Sequence, residues 1–486
     1  MTISTVRPGA SDPAPNGDTG PQAHRLRLVE HAIPDPAATN PPAILTGHST
    51  VAILGLGYVG LPTALAMLRA GLRVVGIDVS EARLSAIRAR RVDLIDTDHE
   101  RLELWLGAPE LVLTSDPDRL RVADVVIICV PTPVDEHRLP DLEALKAACA
   151  TVVSRARAGQ TILLTSTTYV GSTRELVVEP LRARGFTPGQ DIFVAFAPER
   201  IDPGNVRYPQ EVVPRVVGGY SPECTARAAA VIERVAPVER VSSPEVAELT
   251  KLYENTFRAV NIALANEFET VSHHFGIDIS EVIRAASSKP FGFMPFYPGT
   301  GVGGHCIPCD PHYLLWQLRA MKHEAPVIEH AMTSIARRPI EMVDRMASLL
   351  AERGLGLRDR RVIVVGAAYK SGVEDVRESP GLEVIIELRR RGAVVDYHDP
   401  LVAEIRLEDG SRLVSVDQPD GADYDAALIH VIQPGVNMAW LERCDLVVDP
   451  GGRVRRRELV AIPVSPRDAV AVPVGSDVLD EAATAS

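Results

Sequence analysis

The chain has 486 residues and a formal net charge of −13, with 46% apolar and 24% charged residues. That balance fits a soluble globular protein with room for two or three domains. The acidic excess argues against a nucleic-acid surface, which needs clustered basic residues, but a locally basic pocket for an anionic small molecule stays open.

Residues 1–47 hold eight prolines and little periodicity, which predicts a disordered tail. The opening stretch lacks the apolar core of a signal peptide, and no apolar run reaches the length of a membrane span. Cysteines at 129, 149, 224, 306, 309 and 444 are too irregular for a secreted disulfide framework. A cytoplasmic protein that binds neither membrane nor nucleic acid is the expectation. Cys129, inside VVIICV, reads as a small core hydrophobe.

The first strong element signal is VAILGLGYVGLPTALAMLRAGLRVVGID, residues 51–78. A β-branched run, an amphipathic segment, an arginine and glycine stop, and a second apolar run ending in Asp predict strand, helix and strand. Gly55, Gly57 and Gly60 form G-x-G-x-x-G at the first strand–helix turn. Their jobs are a tight turn, close approach of a pyrophosphate, and helix packing, with the phosphate at the helix N-terminus. Asp78 ends the next strand about twenty residues on, where a carboxylate takes ribose hydroxyls and repels a 2′-phosphate. NAD is therefore expected over NADP, and no arginine is expected at that turn to take a 2′-phosphate.

The segment 244–345 lacks strand alternation and is predicted to be helical. SSPEVAELTKLYENTFRAVNIALANEFETVSHHFG opens with serines, Pro244 and Glu245 and stops at Gly276. Lys251, Asn255 and Arg258 share one helix face, with Asn261 near it. They form either a solvated stripe or a set of donors for a developing oxyanion. Leu252, Val260, Ala263 and Leu264 are expected to be buried. The stretch GVGGHCIPCDPHYL, 301–314, then raises three possibilities: metal site, redox pair or nucleophile. A closed zinc site needs four ligands, and no second Cys-x-x-Cys exists. Thioredoxin-like pairs open a helix after a strand, whereas this pair follows a loop. Cys306 in a polar, glycine-rich loop is better explained as a nucleophile; Asp310 could hold a water or accept a proton, and Cys309 is read as incidental.

A second strand–helix–strand signal, RVIVVGAAYKSGVEDVRESPGLEVIIELRRRGAVVDYHD, spans 361–399. Gly366 is followed by Ala367 and Ala368, so the close-approach glycine is missing and a second dinucleotide is not expected. Lys370 and Arg377 are either solvated charges or contacts for a phosphate-bearing substrate. The fold class expected is α/β: two Rossmann-like parallel-sheet domains joined by a long central helix and a helical middle domain. The expected boundaries are 1–47 tail, 48–243 NAD-binding domain, 244–345 helical domain with the cysteine loop, 346–463 second Rossmann-like domain, and 464–486 tail.

An NAD site together with a cysteine nucleophile suggests oxidation of an alcohol beyond the aldehyde, through a thiohemiacetal and a thioester that water hydrolyses. A simple hydroxyacid dehydrogenase would need no such cysteine. A non-catalytic NAD- or redox-sensing protein using Cys306 and Cys309 is the rival from another class.

The motifs GLGYVGLP, CVPTP, FAPERIDPGN, ELTKLYENTFRAVNIALANE, GTGVGGHCIPCDPHYL and AYKSGVEDVRESP, in this order, resemble the nucleotide-sugar 6-dehydrogenases, the UDP-glucose and GDP-mannose dehydrogenase family. The likeness runs from about residue 49 to 455. KPFGFMPFYPG and ENTFRAVNIALANE look most like the UDP-N-acetylglucosamine branch, with the UDP-N-acetylmannosamine and UDP-glucose enzymes as alternatives. The resemblance implies Cys306 as nucleophile, Lys251 and Asn255 as oxyanion donors, and Asp310 working with Lys251 on a water or the substrate hydroxyl. Glu199 and Thr132 would line the reacting carbon. NAD would rest on Gly55, Gly57, Tyr58, Val59, Gly60, Asp78, Pro131 and Thr132. The UDP-sugar would meet Arg258, Asn261, Phe296, Gly303, Lys370 and Arg377, with no metal. A homodimer or larger homo-oligomer is implied, built on the central helix. The family's Asp-x-Arg near the last strand is represented by Asp449, with the arginine moved to Arg453.

Overall fold

The structure is a computed structural model and describes residues 49–92, 94, 96–200 and 208–454. The predicted tails, 1–47 and 464–486, lie outside the described residues. The first sheet is built from β1 (Thr50–Leu54), β2 (Arg73–Ile77), β3 (Leu111–Thr114), β4 (Val125–Ile128), β5 (Thr161–Leu164), β6 (Phe193–Phe196), β7 (Arg215–Gly219) and β8 (Val238–Val241). Helix α1 (Gly60–Arg69) connects β1 to β2.

The strand order is β3-β2-β1-β4-β5-β6-β7-β8. Through β6 every pairing is parallel, the doubly wound order expected of a dinucleotide-binding sheet. Beyond that point the sheet departs from the all-parallel expectation. β7 joins β6 antiparallel, and β8 runs parallel to β7. An antiparallel neighbour needs no helical crossover.

The central strands β4, β5 and β6 are buried along their whole length because both faces are covered. Alternate residues of β1 serve separate cores, Val51 and Ile53 on one side and Ala52 and Leu54 on the other. The β9 strand described below repeats this with Val362 and Val364 against Ile363 and Val365.

Four helices form the middle: α2 (Pro244–His274), α3 (Ile279–Ser287), α4 (Asp310–Ala320) and α5 (Pro326–Ala351). Ser243 caps α2 by accepting from the Val246 amide, Pro244 fills the first turn, and Gly276 follows the end at φ +68°. At 1.5 Å per residue its 31 residues span about 46 Å. Its facing is the reverse of a surface helix. Asn255 and Glu248 are buried, whereas Val246, Leu249, Tyr253, Phe257, Leu264, Phe268, Val271 and Phe275 are exposed. Leu252 and Ala263 are buried as expected, but Leu264 is not.

The second sheet consists of β9 (Arg361–Val365), β10 (Val394–His398), β13 (Ala426–Ile429) and β14 (Leu446–Val448) in the parallel order β10-β9-β13-β14. The short antiparallel pair β11 (Glu404–Arg406) and β12 (Arg412–Val414) stands apart from it. Helix α6 (Pro380–Arg390) leads from the segment after β9 into β10.

Candidate active site

The β1–α1 turn sits where β1 and β4 diverge, the position at which α/β sheets bind ligands. Gly55 adopts φ +93°, and a Cβ there would lie 2.6 Å from the Cys129 carbonyl oxygen. A Cβ on Gly60 would lie 1.9 Å from the Gly55 carbonyl oxygen. Gly57 has nothing within 4 Å and is exposed. The protein's own packing thus demands glycine at 55 and 60, while the space at 57 is left for a ligand, which fits a dinucleotide pyrophosphate. Tyr58 and Val59 are half-buried in the turn, Pro131 is exposed and Thr132 half-buried just beyond β4.

Asp78 accepts from the Leu56 amide at 2.8 Å and from the Ser80 amide at 2.9 Å, so it also pins the glycine turn. The expectation that no arginine stands at this turn is corrected. Ser80 caps the helix Glu81–Arg88, whose first turn swings Arg83 back to donate to the Leu56 carbonyl at 2.9 Å.

A second cluster joins the end of β6, the buried face of α2 and the start of α4. Lys251 Nζ donates to the Glu199 carbonyl at 2.9 Å. The buried Glu199 carboxylate faces Arg215 of β7 at 3.1 Å. Asn255 Nδ2 donates to the carboxylate of Asp310, which is 3% exposed. Burial pushes the Asp310 carboxyl up to about 6, against the Lys251 charge and the Asn255 hydrogen bond, which both favour the carboxylate.

Cys306 is exposed and stands just ahead of α4, its carbonyl accepting from the Asp310 amide at 2.8 Å. Cys309 is buried, and burial pushes its thiol up to about 12. Among the described residues, no group of three or more His, Cys, Asp or Glu could hold a metal ion.

Arg258 lies on the Lys251 face of α2, half-buried, and makes no hydrogen bond or ion pair among the described residues. The structure does not bring Asn261 or Phe296 to this cluster. Asn261 donates to its own helix at the Phe257 carbonyl (2.7 Å) and lines an apolar groove of roughly 260 Å³ with Tyr253 and Val260. Phe296 packs edge-on against Phe257 with ring centres 5.8 Å apart.

The segment between β9 and α6 approaches from the second sheet. Arg377 grips Asp375 with two hydrogen bonds, 2.9 and 2.7 Å, and its guanidinium lies 5.8 Å from the ring centre of Tyr58. Lys370 is half-buried in the same segment. Gly303 presses on it, since a Cβ would lie 2.5 Å from the Glu378 carbonyl oxygen. At the turn after β9, the amides of Ala367 and Ala368 are taken by the buried Asp399 at 2.9 and 3.0 Å. Arg453 donates to the His430 carbonyl at 2.7 Å, near Asp449.

Sequence reasoning does not single out Arg215 or Tyr313. Arg215 holds Glu199; the available signal was a charged residue opening the buried strand RVVGG. Tyr313, fully buried on α4, donates to the Thr132 carbonyl at 3.0 Å and so ties the cysteine helix to the dinucleotide loop. Nothing in its local pattern separates it from an ordinary core aromatic.

Three family models match the chain: the NAD binding domain of the UDP-glucose/GDP-mannose dehydrogenase family over residues 49–236, its central domain over 245–335 and its UDP binding domain over 363–450. The chain is 32% identical over 384 residues to the UDP-N-acetyl-D-glucosamine 6-dehydrogenase of Pseudomonas aeruginosa, covering 78% of this chain and 90% of that protein. It is 34% identical over 355 residues to the UDP-N-acetyl-D-mannosamine dehydrogenase of Pyrococcus horikoshii, covering 72% and 84%. The solved structure of the UDP-D-ManNAc dehydrogenase from Pyrococcus horikoshii matches with a TM-score of 0.76 at 30% identity, over 85% of this chain and 98% of that one.

Proposed function

Because the chain belongs to the UDP-glucose/GDP-mannose dehydrogenase family and is an NAD-dependent nucleotide-sugar 6-dehydrogenase, we propose that its substrate is UDP-N-acetyl-D-glucosamine. The C6 hydroxymethyl is oxidised to the carboxylate by way of a thiohemiacetal and a thioester on Cys306. The observation that carries this reading is the Lys251–Asn255–Asp310 cluster at the start of the helix that Cys306 precedes.

When bound, NAD supplies the hydride acceptor for both oxidations. Gly57 and Asp78 would hold it, with Tyr58, Val59, Pro131 and Thr132 around the turn. Asp310, as the carboxylate, takes the proton of the C6 hydroxyl with Lys251 beside it. Lys251 and Asn255 then donate to the oxygen that carries charge when the Cys306 thiolate adds to the aldehyde carbon. Glu199, paired with Arg215, and Thr132 order the water that cleaves the thioester. Lys370 and Arg377 reach the nucleotide from the second sheet.

Arg258 supports a 2-acetamido sugar. It is a half-buried cation on the Lys251 face without a hydrogen-bond or ion-pair partner among the described residues, and the acetamido carbonyl is an acceptor that a plain 2-hydroxyl lacks. The apolar outward stripe of α2 supports a homodimer, since an exposed patch of this kind marks an association surface. A thiol nucleophile calls for a reducing compartment, which supports a cytoplasmic location. The mannosamine epimer is the second reading, favoured by the 34% identical relative.

A panel of UDP-sugars assayed with NAD tests this. The expected result is two NADH per sugar and a higher kcat/KM for UDP-N-acetylglucosamine than for the mannosamine epimer or UDP-glucose. One NADH per sugar would overturn acid formation, and equal or better turnover of UDP-glucose would overturn the substrate. No turnover of any sugar would favour the NAD- or redox-sensing alternative.

A further inference from the structure

The chain from residue 291 to 309 carries Cys306 and has no helix or strand of its own. Such a segment has its geometry imposed by whatever grips it, and three hydrogen bonds from outside grip it at Gly299 and Thr300. The Gly299 amide donates to Asn266 Oδ1 of α2 at 2.9 Å, and its carbonyl accepts from Arg338 Nε of α5 at 3.0 Å. Arg338 is itself fully buried and paired with Glu269 of α2 at 2.7 Å.

The third grip crosses to the second sheet. The buried Thr300 hydroxyl meets Nδ1 of His430, the residue that follows β13. The other ring nitrogen, Nε2, lies 3.0 Å from the Ala368 carbonyl oxygen and 3.3 Å from Ser379 Oγ. A carbonyl can only accept, so Nε2 carries the hydrogen. Burial pushes His430 down to about 3, so the ring is neutral and Nδ1 is an acceptor. The Thr300 hydroxyl must therefore donate to it. Further along, the backbone lies flat on the same sheet's segment: a Cβ on Gly304 would stand 2.9 Å from the Tyr369 ring.

We propose that Thr300 and His430 are positioning residues: their hydrogen bond fixes the nucleophile loop on the C-terminal sheet and so sets where the Cys306 thiol stands relative to Lys251 and Asn255. The second sheet then shapes the catalytic loop as well as binding nucleotide. This rests on the reading of Cys306 as the nucleophile.

Thr300→Val keeps the side-chain shape and removes the donor, leaving His430 Nδ1 unpaired. The expected result is a fall in kcat of about tenfold, with KM for the UDP-sugar and Tm nearly unchanged, and recovery in Thr300→Ser. Alkylation of Cys306 by iodoacetamide without substrate should change by at least about threefold in Thr300→Val, because the rate reports the exposure and surroundings of the thiol, which the loop sets. His430→Gln keeps an amide donor for Ala368 but carries its acceptor oxygen one bond further from the backbone than Nδ1, away from Thr300; it should reproduce both effects, and the double variant should be no worse than either single one.

Unchanged kcat and alkylation in Thr300→Val overturn the proposal. So does a parallel fall of kcat and Tm that Thr300→Ser does not restore. Should Thr300→Val fail to fold, His430→Gln in the same two assays decides it. If the unmodified enzyme turns over no UDP-sugar, the functional reading fails, while the alkylation rates still judge the latch.

Discussion

Burial raises the Asp310 carboxyl to about 6 while Lys251 and Asn255 draw it back toward ionisation. Above that pH it is a carboxylate able to accept a proton, so kcat/KM should fall on the acid side with a bend near pH 6. The stability effect has the opposite sense. A folded-state pKa above the unfolded one means that the protonated form is favoured in the fold, so stability is lost as pH rises through the folded value. Asp310→Asn should therefore raise stability at pH 8, by on the order of 2–3 kcal/mol, with no gain at pH 3. Turnover should drop at least about a hundredfold; urea melts at the two pH values and initial rates check both. The two neighbouring cysteines should separate cleanly. Cys306→Ser is expected to abolish acid formation while retaining NAD binding, whereas Cys309→Ala keeps most activity under reducing conditions. A loss as deep in Cys309→Ala would revive the redox pair. Asp78→Ala removes the carboxylate beside Arg83, whose guanidinium already reaches that turn. The NADP to NAD ratio of kcat/KM should rise by about tenfold or more, as measured with both cofactors, because a repulsion is lost and a cation remains.

The ends of α2 were legible in Ser-Ser-Pro-Glu and His-His-Phe-Gly, since caps and stops are local chemistry. Its orientation was not. Periodicity reveals that polar and apolar stripes exist, but which one meets the rest of the chain depends on contacts far away in sequence. Here the polar stripe with Lys251 and Asn255 turns inward, and Leu264 of the apolar one turns outward. The same limit explains the direction of β7, whose short run looks alike in either sense. Cys306, Lys251, Asn255 and Asp310 could be picked out because their residue types are unusual in a glycine loop or a buried helix. Arg215, Thr300 and His430 could not, since each acquires its role from a partner at least sixteen residues distant. The inward stripe has its own test. Arg258→Ala should lower kcat/KM for UDP-N-acetylglucosamine by about ten- to a hundredfold and leave UDP-glucose less affected, narrowing the preference. Equal losses on both sugars would mean that Arg258 does not meet the acetamido group.

The two sheets were visible as a repeated strand–helix–strand rhythm, and their difference was visible in the missing glycine after Gly366. Both turns have an Asp at the end of the next strand: Asp78 takes the Leu56 amide, and Asp399 takes those of Ala367 and Ala368. The outward stripe recurs every eleven residues, through Val246, Phe257 and Phe268, and Tyr253, Phe268 and Phe275 are 68%, 52% and 71% exposed. Replacing Tyr253 and Phe268 together with Glu should convert a dimer to monomers in sedimentation velocity, since two charges desolvated on each side of a symmetric interface outweigh typical association energies. A parent protein that already sediments as a monomer would contradict the dimer. The loop carrying Cys306 lies against Tyr369 and Glu378, so its shape lasts no longer than theirs. If on storage or mild heating the smaller C-terminal sheet loosens while the eight-stranded one holds, the nucleophile loop loosens with it. The preparation would then keep its capacity for NAD and its secondary structure yet lose activity in step with the fluorescence of Trp440, which is half-buried beside His398 and packs against that sheet's core. In that event the working lifetime of the enzyme would be set by the part of the chain that lacks the nucleophile.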